Sequence, residues 1–129
     1  MKPLLLDTHA LLWWLLDSPE LSGVAKAAVS DVGRRVLVST ASSWEMAIKF
    51  KLGKLPFAAN IVEQLPRYLR KEHFEVLPIR LEHSLTAGSL AGPHRDPFDR
   101  MLIAQAQIEK VQLVTCDAVF QNYLVDILW

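Results

Sequence analysis

The chain has 129 residues, 51% of them hydrophobic and 22% charged, with 14 Lys+Arg balanced by 14 Asp+Glu for a formal net charge of +0. This size accommodates a single domain over residues 1–129 and excludes a two-domain enzyme, while the apolar share excludes a disordered chain. The charge balance excludes a global positive field that draws in polyanions from a distance, so any contact with nucleic acid has to be local.

In chain order, Leu4 to Leu6 is the first of five short apolar runs that predict strands; Val36 to Val38, Phe74 to Leu77, Leu113 to Thr115 and Leu124 to Leu128 follow. Most are near-continuously apolar, as strands covered on both faces must be. The apolar run from Ala10 to Leu16 stops at Asp17-Ser18-Pro19, short of the roughly 20 residues that cross a bilayer. The opening MKPLLLD carries no cleavage site, and together these predict a soluble, cytoplasmic protein with no membrane role. Ser22 precedes a helix over Val24 to Asp31, and Ser39 to Ser42 precede one over Trp44 to Leu52, which Gly53 closes. Pro56, Pro66 and Pro78 punctuate the next stretch. Residues 89–95, SLAGPHR, predict a mobile active-site loop, and Asp96-Pro97 opens a helix through about Lys110. Helical patterns between the strands imply βαβ crossovers, so the fold class is α/β: a three-layer α/β/α domain around a mainly parallel sheet of about five strands. The single Cys116 predicts a reduced thiol buried as a small hydrophobe.

Ligands of open parallel sheets sit beyond the carboxyl ends of the strands, and Asp7 and Asp117 stand where two such strands stop. Each also suits the N-cap of the helix behind it. Asp99 heads an apolar stripe of Leu102, Ile103 and Ala106, which points its carboxylate inward, whereas Asp96 before Pro97 is the natural N-cap. An inward charge has to be partnered, protonated or bound to a metal. On the helix after the second strand, Ala41, Trp44, Ile48 and Leu52 form an arc expected to face the core, with Glu45 at its margin; an i,i+4 ion pair with Lys49 is the competing role. Acids gathered from four elements repel one another unless a cation sits among them. Oxygen ligands without Cys or a His pair favour Mg2+, with Mn2+ as a substitute, over Zn2+. Phosphoryl chemistry is the natural use of such a site.

The segments MKPLLLDTHALLWWL, SSWEMAIK, HRDPFDRMLIAQA and LVTCDAVF, in this order, resemble PIN-domain proteins and are closely similar to the VapC-type toxins of bacterial toxin/antitoxin modules, over residues 7–129. The resemblance implies a metal-dependent endoribonuclease whose catalytic acids fall on Asp7, Glu45, Asp99 and Asp117. On this reading Asp7, Asp99 and Asp117 hold Mg2+, Glu45 orients or deprotonates the attacking water, and Asp96 assists through water. The resemblance further implies a homodimer, an RNA substrate and a cognate antitoxin that pushes a basic side chain into the acidic pocket.

Arg100 and Arg95 are the candidates to hold flanking RNA phosphates, while Lys49, Lys51 and Lys54 read as a solvated helix face. Trp13, Trp14 and Trp44 are expected in the core or a subunit contact rather than stacked on bases. Met46 and Phe50, opposite Trp44, predict a helix buried on two sides and hence self-association. His9, His73, His83 and His94 show no zinc spacing, and His9 is expected at the sheet edge. Three rival readings remain: a phosphoacceptor receiver domain, an inactive PIN-like module that binds RNA or antitoxin without cutting, and a metal-free nuclease using His9 and His94.

Overall fold

Three consecutive leucines, Leu4, Leu5 and Leu6, are fully buried and form the central strand of the sheet. A computed structural model describes residues 1–92 and 94–129. The elements are β1 (Leu4–Leu6), α1 (Thr8–Leu15), α2 (Gly23–Ser30), β2 (Val36–Ser39), α3 (Thr40–Lys51), a 3-10 turn at Pro56–Ala58, α4 (Ala59–Glu63), α5 (Leu65–Lys71), β3 (Glu75–Leu77), α6 (Leu81–Ser89), α7 (Pro97–Glu109), β4 (Gln112–Val114), a 3-10 turn at Ala118–Asn122 and β5 (Asp126–Leu128). The strands run β3-β2-β1-β4-β5 with every neighbouring pair parallel, Leu6 opposing Val38 on one side and Val114 on the other. This is the α/β architecture that the alternating apolar runs and helical patterns predict.

Strand side chains alternate between two cores. Leu4, Leu6, Val36, Val38 and Val114 join one with Leu12, Ala25, Ile61 and Leu69; Leu5, Leu37 and Leu113 join the other with Leu102, Ile103 and Phe120. Burial on both faces explains the continuous apolar runs of β1, β2 and β4. The outer strands depart from that expectation: Val76 of β3 is 55% exposed and no residue of β5 is fully buried, because each lies at a sheet edge. Arg35, just before β2, ties that strand to β3 by a two-pronged contact with Glu75, at 2.8 and 2.9 Å.

The chain turns one way from β1 to β2 and β3, then returns across β1 to β4. The β1/β4 boundary is therefore the switch point, and the segments after these two strands open away from each other there. Helix starts at this end are set by side-chain caps. Asp7 Oδ1 accepts from Ala10 N at 2.7 Å, Ser39 Oγ from Ala41 N at 3.0 Å, and Asp96 Oδ1 from both Phe98 N and Asp99 N. Lys110 ends α7 in the left-handed conformation, φ 55°.

Two expectations fail here. The buried side of α3 is Ala41, Ser42, Glu45 and Met46, while Trp44 and Leu52 are exposed and Ile48 lies at the surface, so the helix is rotated by about one residue from the apolar arc. The rotation follows from what α3 packs on: small and polar side chains face α1 and α7, where Glu45 and Ser42 find partners that apolar groups would not supply. Cys116 is exposed, since it lies past the end of β4 where the chain leaves the sheet.

Candidate active site

Asp7 and Asp117 emerge from the carboxyl ends of β1 and β4, Glu45 from the second turn of α3, and Asp96 and Asp99 from the start of α7. All five line one pocket of about 230 Å³, together with Thr8, His9, Lys49, His94 and Phe120. A larger cavity of about 390 Å³ lies at the opposite, amino ends of the strands beside Arg34 and Val36, and no such group of acids lines it.

Glu45 is 4% exposed and held on both oxygens. Thr8 Oγ1 donates to Oε1 at 2.6 Å, and Lys49 Nζ stands 2.6 Å from Oε2. Thr8 has a single hydroxyl proton, so its 3.1 Å contact with Ser42 Oγ places the Ser42 hydroxyl as the donor there. The ion pair and the pocket role that compete in the sequence coexist: Lys49 belongs to the pocket, and the solvated face begins at Lys51.

Asp7 is 6% exposed, and burial pushes its carboxyl above the ordinary range, with the Asp117 charge adding to the shift against hydrogen bonds from Thr115 and the Ala10 amide. Asp99 is pushed up to about 6, first by burial and then by the neighbouring Asp96 and Glu45 charges, while His94 opposes the shift. His94 Nε2 lies 2.7 Å from Asp99 Oδ2. Asp117 is exposed and caps its own 3-10 turn through Val119 N at 3.1 Å, so its N-cap role and its place in the pocket also coexist.

Arg100 is not among the residues that line this pocket. Three of its five N–H donors go to the carbonyls of Ala87 (3.1 Å), His94 (3.0 Å) and Leu90, which ties α7 to the segment before it. The expected mobile loop at 89–95 includes Pro93, which lies outside the described residues. On either side the backbone is fastened by Arg100 and by His94 N donating to Tyr123 Oη at 3.2 Å. Gly92 is required here, because at φ +111° a Cβ would come within 2.8 Å of the Tyr123 hydroxyl. Arg95 is exposed. His9, expected at the sheet edge, instead lines the pocket from the first turn of α1 and packs on Trp13, which packs on Trp129. Trp13 and Trp14 are half-buried against the core, but Trp44 is 61% exposed.

Thr8, Ser42 and Thr115 add hydroxyls around these acids. Thr8 follows Asp7, and Ser42 lies three residues before Glu45 on the same helical face, so an i,i+3 search for hydroxyls around each acid finds Ser42.

The pocket presents carboxylate oxygens, a donor set that suits a hard cation such as Mg2+ or Mn2+. Burial and mutual repulsion raise Asp7 and Asp99, a cost that a bound cation relieves. Among the described residues no three His, Cys, Asp or Glu groups yet stand at ligating spacing. The donors therefore fit the ion in kind.

Fold and pocket together define an α/β domain with carboxylates converging at the switch point of a parallel sheet. The PIN domain family matches residues 4–124, and the chain belongs to that family. It is 37% identical over 62 residues to Ribonuclease VapC16 of Mycobacterium tuberculosis; the matched stretch covers 48% of this chain and 43% of that protein, under half the length of either. Among solved structures, a chain of VapBC2 from Rickettsia felis bound to a promoter DNA fragment superposes with a TM-score of 0.69 at 14% identity, covering 96% of each chain. FitAcB from Neisseria gonorrhoeae gives a TM-score of 0.69 at 20% identity, covering 96% of this chain and 95% of that one. At these identities the structures show a shared fold.

Proposed function

We propose that the protein is a Mg2+-dependent endoribonuclease acting as the toxin of a type II toxin/antitoxin pair. The observation that carries this reading is the meeting of Asp7, Glu45, Asp96, Asp99 and Asp117 in one pocket of a PIN domain. The similarity to a ribonuclease named VapC16 supports the reaction class.

Asp7, Asp99 and Asp117 would hold the ion, with Asp96 assisting through water. The ion supplies a lowered water pKa and neutralises phosphate and leaving-group charge. Glu45 orients the attacking water and takes its proton; its fixed contacts with Thr8 and Lys49 hold the carboxylate in place before substrate arrives. No side chain needs to act as a covalent nucleophile. Arg95 is the remaining arginine candidate for a flanking phosphate, since Arg100 is committed to backbone carbonyls.

An antitoxin partner is supported by the kinship of fold with VapBC2 and FitAcB, and the acidic pocket suits a basic side chain from it. A homodimer is supported by Leu81 and Leu85, four residues apart on α6 and 73% and 66% exposed. Among the described residues no helix is long and apolar enough to cross a membrane, and the proposed site of action is the cytoplasm.

The test is cleavage of total RNA by the purified chain with and without Mg2+, with the product ends mapped. Mg2+-dependent cuts that leave 5′-phosphate ends, lost in Asp7→Asn, are expected. EDTA-resistant cuts with cyclic phosphate ends would instead establish the metal-free route through His9 and His94, and RNA binding without any cut would establish the inactive module.

A further inference from the structure

A tryptophan that stays in water beside an acidic pocket calls for a partner. Trp44 is 61% exposed, and its indole forms an edge-to-face pair with Phe98 at 5.2 Å between centroids and 78° between planes, which favours one orientation of the ring. In such a pair at most one face of each ring is used. With Trp44 61% exposed, most of the indole stays accessible beside that contact. The result is a held aromatic surface with an open face, which loses little conformational freedom when something stacks on it.

Its position ties it to the pocket. Trp44 immediately precedes Glu45, and Phe98 immediately precedes Asp99, and both acids line the pocket. Successive helical residues diverge by about 100°, so each acid turns into the pocket while its aromatic neighbour stays on the rim outside. Lys51 lies seven residues beyond Trp44, on the same helical line and roughly 10 Å further along the axis. Arg95 lies three residues before Phe98; both cations are exposed, and neither forms an ion pair among the described residues. Ile48 and Leu52 extend the exposed side of α3 away from the pocket. The charge of Lys51 in line with Trp44 favours a ligand that carries both an aromatic plane and an anion over a purely apolar protein surface.

We infer that Trp44, steadied by Phe98, is a stacking platform for a nucleobase of single-stranded RNA next to the phosphodiester held in the pocket, with Lys51 and Arg95 taking adjacent phosphates. This deepens the ribonuclease reading and rests on it. Stacking on an aromatic side chain tolerates any base, so the platform sets affinity and register rather than a strict sequence.

The test uses the full chain with Trp44→Ala and Trp44→Phe. Binding is read by anisotropy of a fluorescein-labelled oligoadenylate in EDTA, and of an abasic ribose-phosphate oligomer of equal length. Trp44→Ala is expected to weaken oligoadenylate binding about tenfold. Trp44→Phe recovers most of the loss, and the abasic oligomer binds wild type and Trp44→Ala alike. In Mg2+, Trp44→Ala raises KM by more than it lowers kcat. Equal oligoadenylate affinity for wild type and Trp44→Ala overturns the platform, as does a lowered molecular mass of Trp44→Ala in sedimentation, which would make this face a contact between copies. If wild type binds with the stacking signature but cuts no RNA with any divalent ion, the nuclease reading fails and the platform stands. If cleavage is present and Trp44→Ala is indifferent, the reverse holds.

Discussion

Lys49 Nζ stands 2.6 Å from Glu45 Oε2, one turn further along α3, so the acidic pocket carries a cation of its own against its most enclosed carboxylate. Removing that cation with Lys49→Met leaves Glu45 with the Thr8 hydroxyl as its remaining partner. Urea unfolding in EDTA at neutral pH is expected to show a loss of about 1–3 kcal/mol, and the double variant with Glu45→Gln recovers much of it, because the stranded charge is then gone. Equal losses in the single and double variants would show that Lys49 acts through packing instead.

Asp99 makes the free protein pH-sensitive. Its carboxyl lies at about 6 in the folded chain against an ordinary 3.8, so the folded state binds the proton more tightly than the unfolded state. The associated stability is fully present below 3.8 and is lost as pH rises to about 6. In EDTA, Asp99→Asn removes the charged form and is expected to unfold at higher urea than wild type above this window, by about 1–2 kcal/mol after screening at a partly open site. The same variant loses cleavage activity. Unfolding curves at low and neutral pH check both the sign and the window.

Asp7 combines two roles that substitution separates. Asn accepts the same hydrogen bond from Ala10 N, so Asp7→Asn keeps the cap of α1, while Asp7→Ala loses it at a cost of about 1 kcal/mol. Both are expected to reduce RNA cleavage by about a hundredfold or more, since neither offers an anionic oxygen to a cation. A melting temperature that falls only in the Ala variant, with activity lost in both, is the expected outcome.

Arg100 and Arg95, neighbours of the same acidic segment, should respond to opposite assays. Arg100→Gln breaks contacts to three backbone carbonyls and is expected to destabilise the fold by about 2–3 kcal/mol, with no change in the salt dependence of RNA binding per folded molecule. Arg95→Gln leaves stability unchanged and lowers the slope of log K against log salt by about one. Thermal melts and binding titrations at several salt concentrations distinguish them.

The parallel sheet was legible because Leu4 to Leu6, Val36 to Val38 and Leu113 to Val114 are covered on both faces and so have to be apolar, with Ser39 and Gln112 only at strand ends. The edges were less so, since Phe74 to Leu77 and Leu124 to Leu128 are apolar for reasons that include packing beyond the sheet. The acids could be placed in one pocket from strand ends and helix faces. What periodicity misread was α3: an apolar arc through Trp44 and Leu52 suggests a core face, but the helix turns Glu45 and Ser42 inward, where Thr8 satisfies them. Long-range hydroxyl partners leave no spacing in the sequence. Nor does the commitment of Arg100 to carbonyls, which depends on how the segment before α7 folds back.

The pairing of β1 with β4 joins Leu6 to Val114 across more than a hundred residues. A nascent chain still lacking β4 has Asp7 on a strand missing one neighbour, and no Asp117 at all. Early proteolytic fragments or prematurely terminated products therefore cannot assemble the pocket, which is complete only when the late segment docks. Strand order alone thus keeps the acidic pocket incomplete during most of the chain's synthesis.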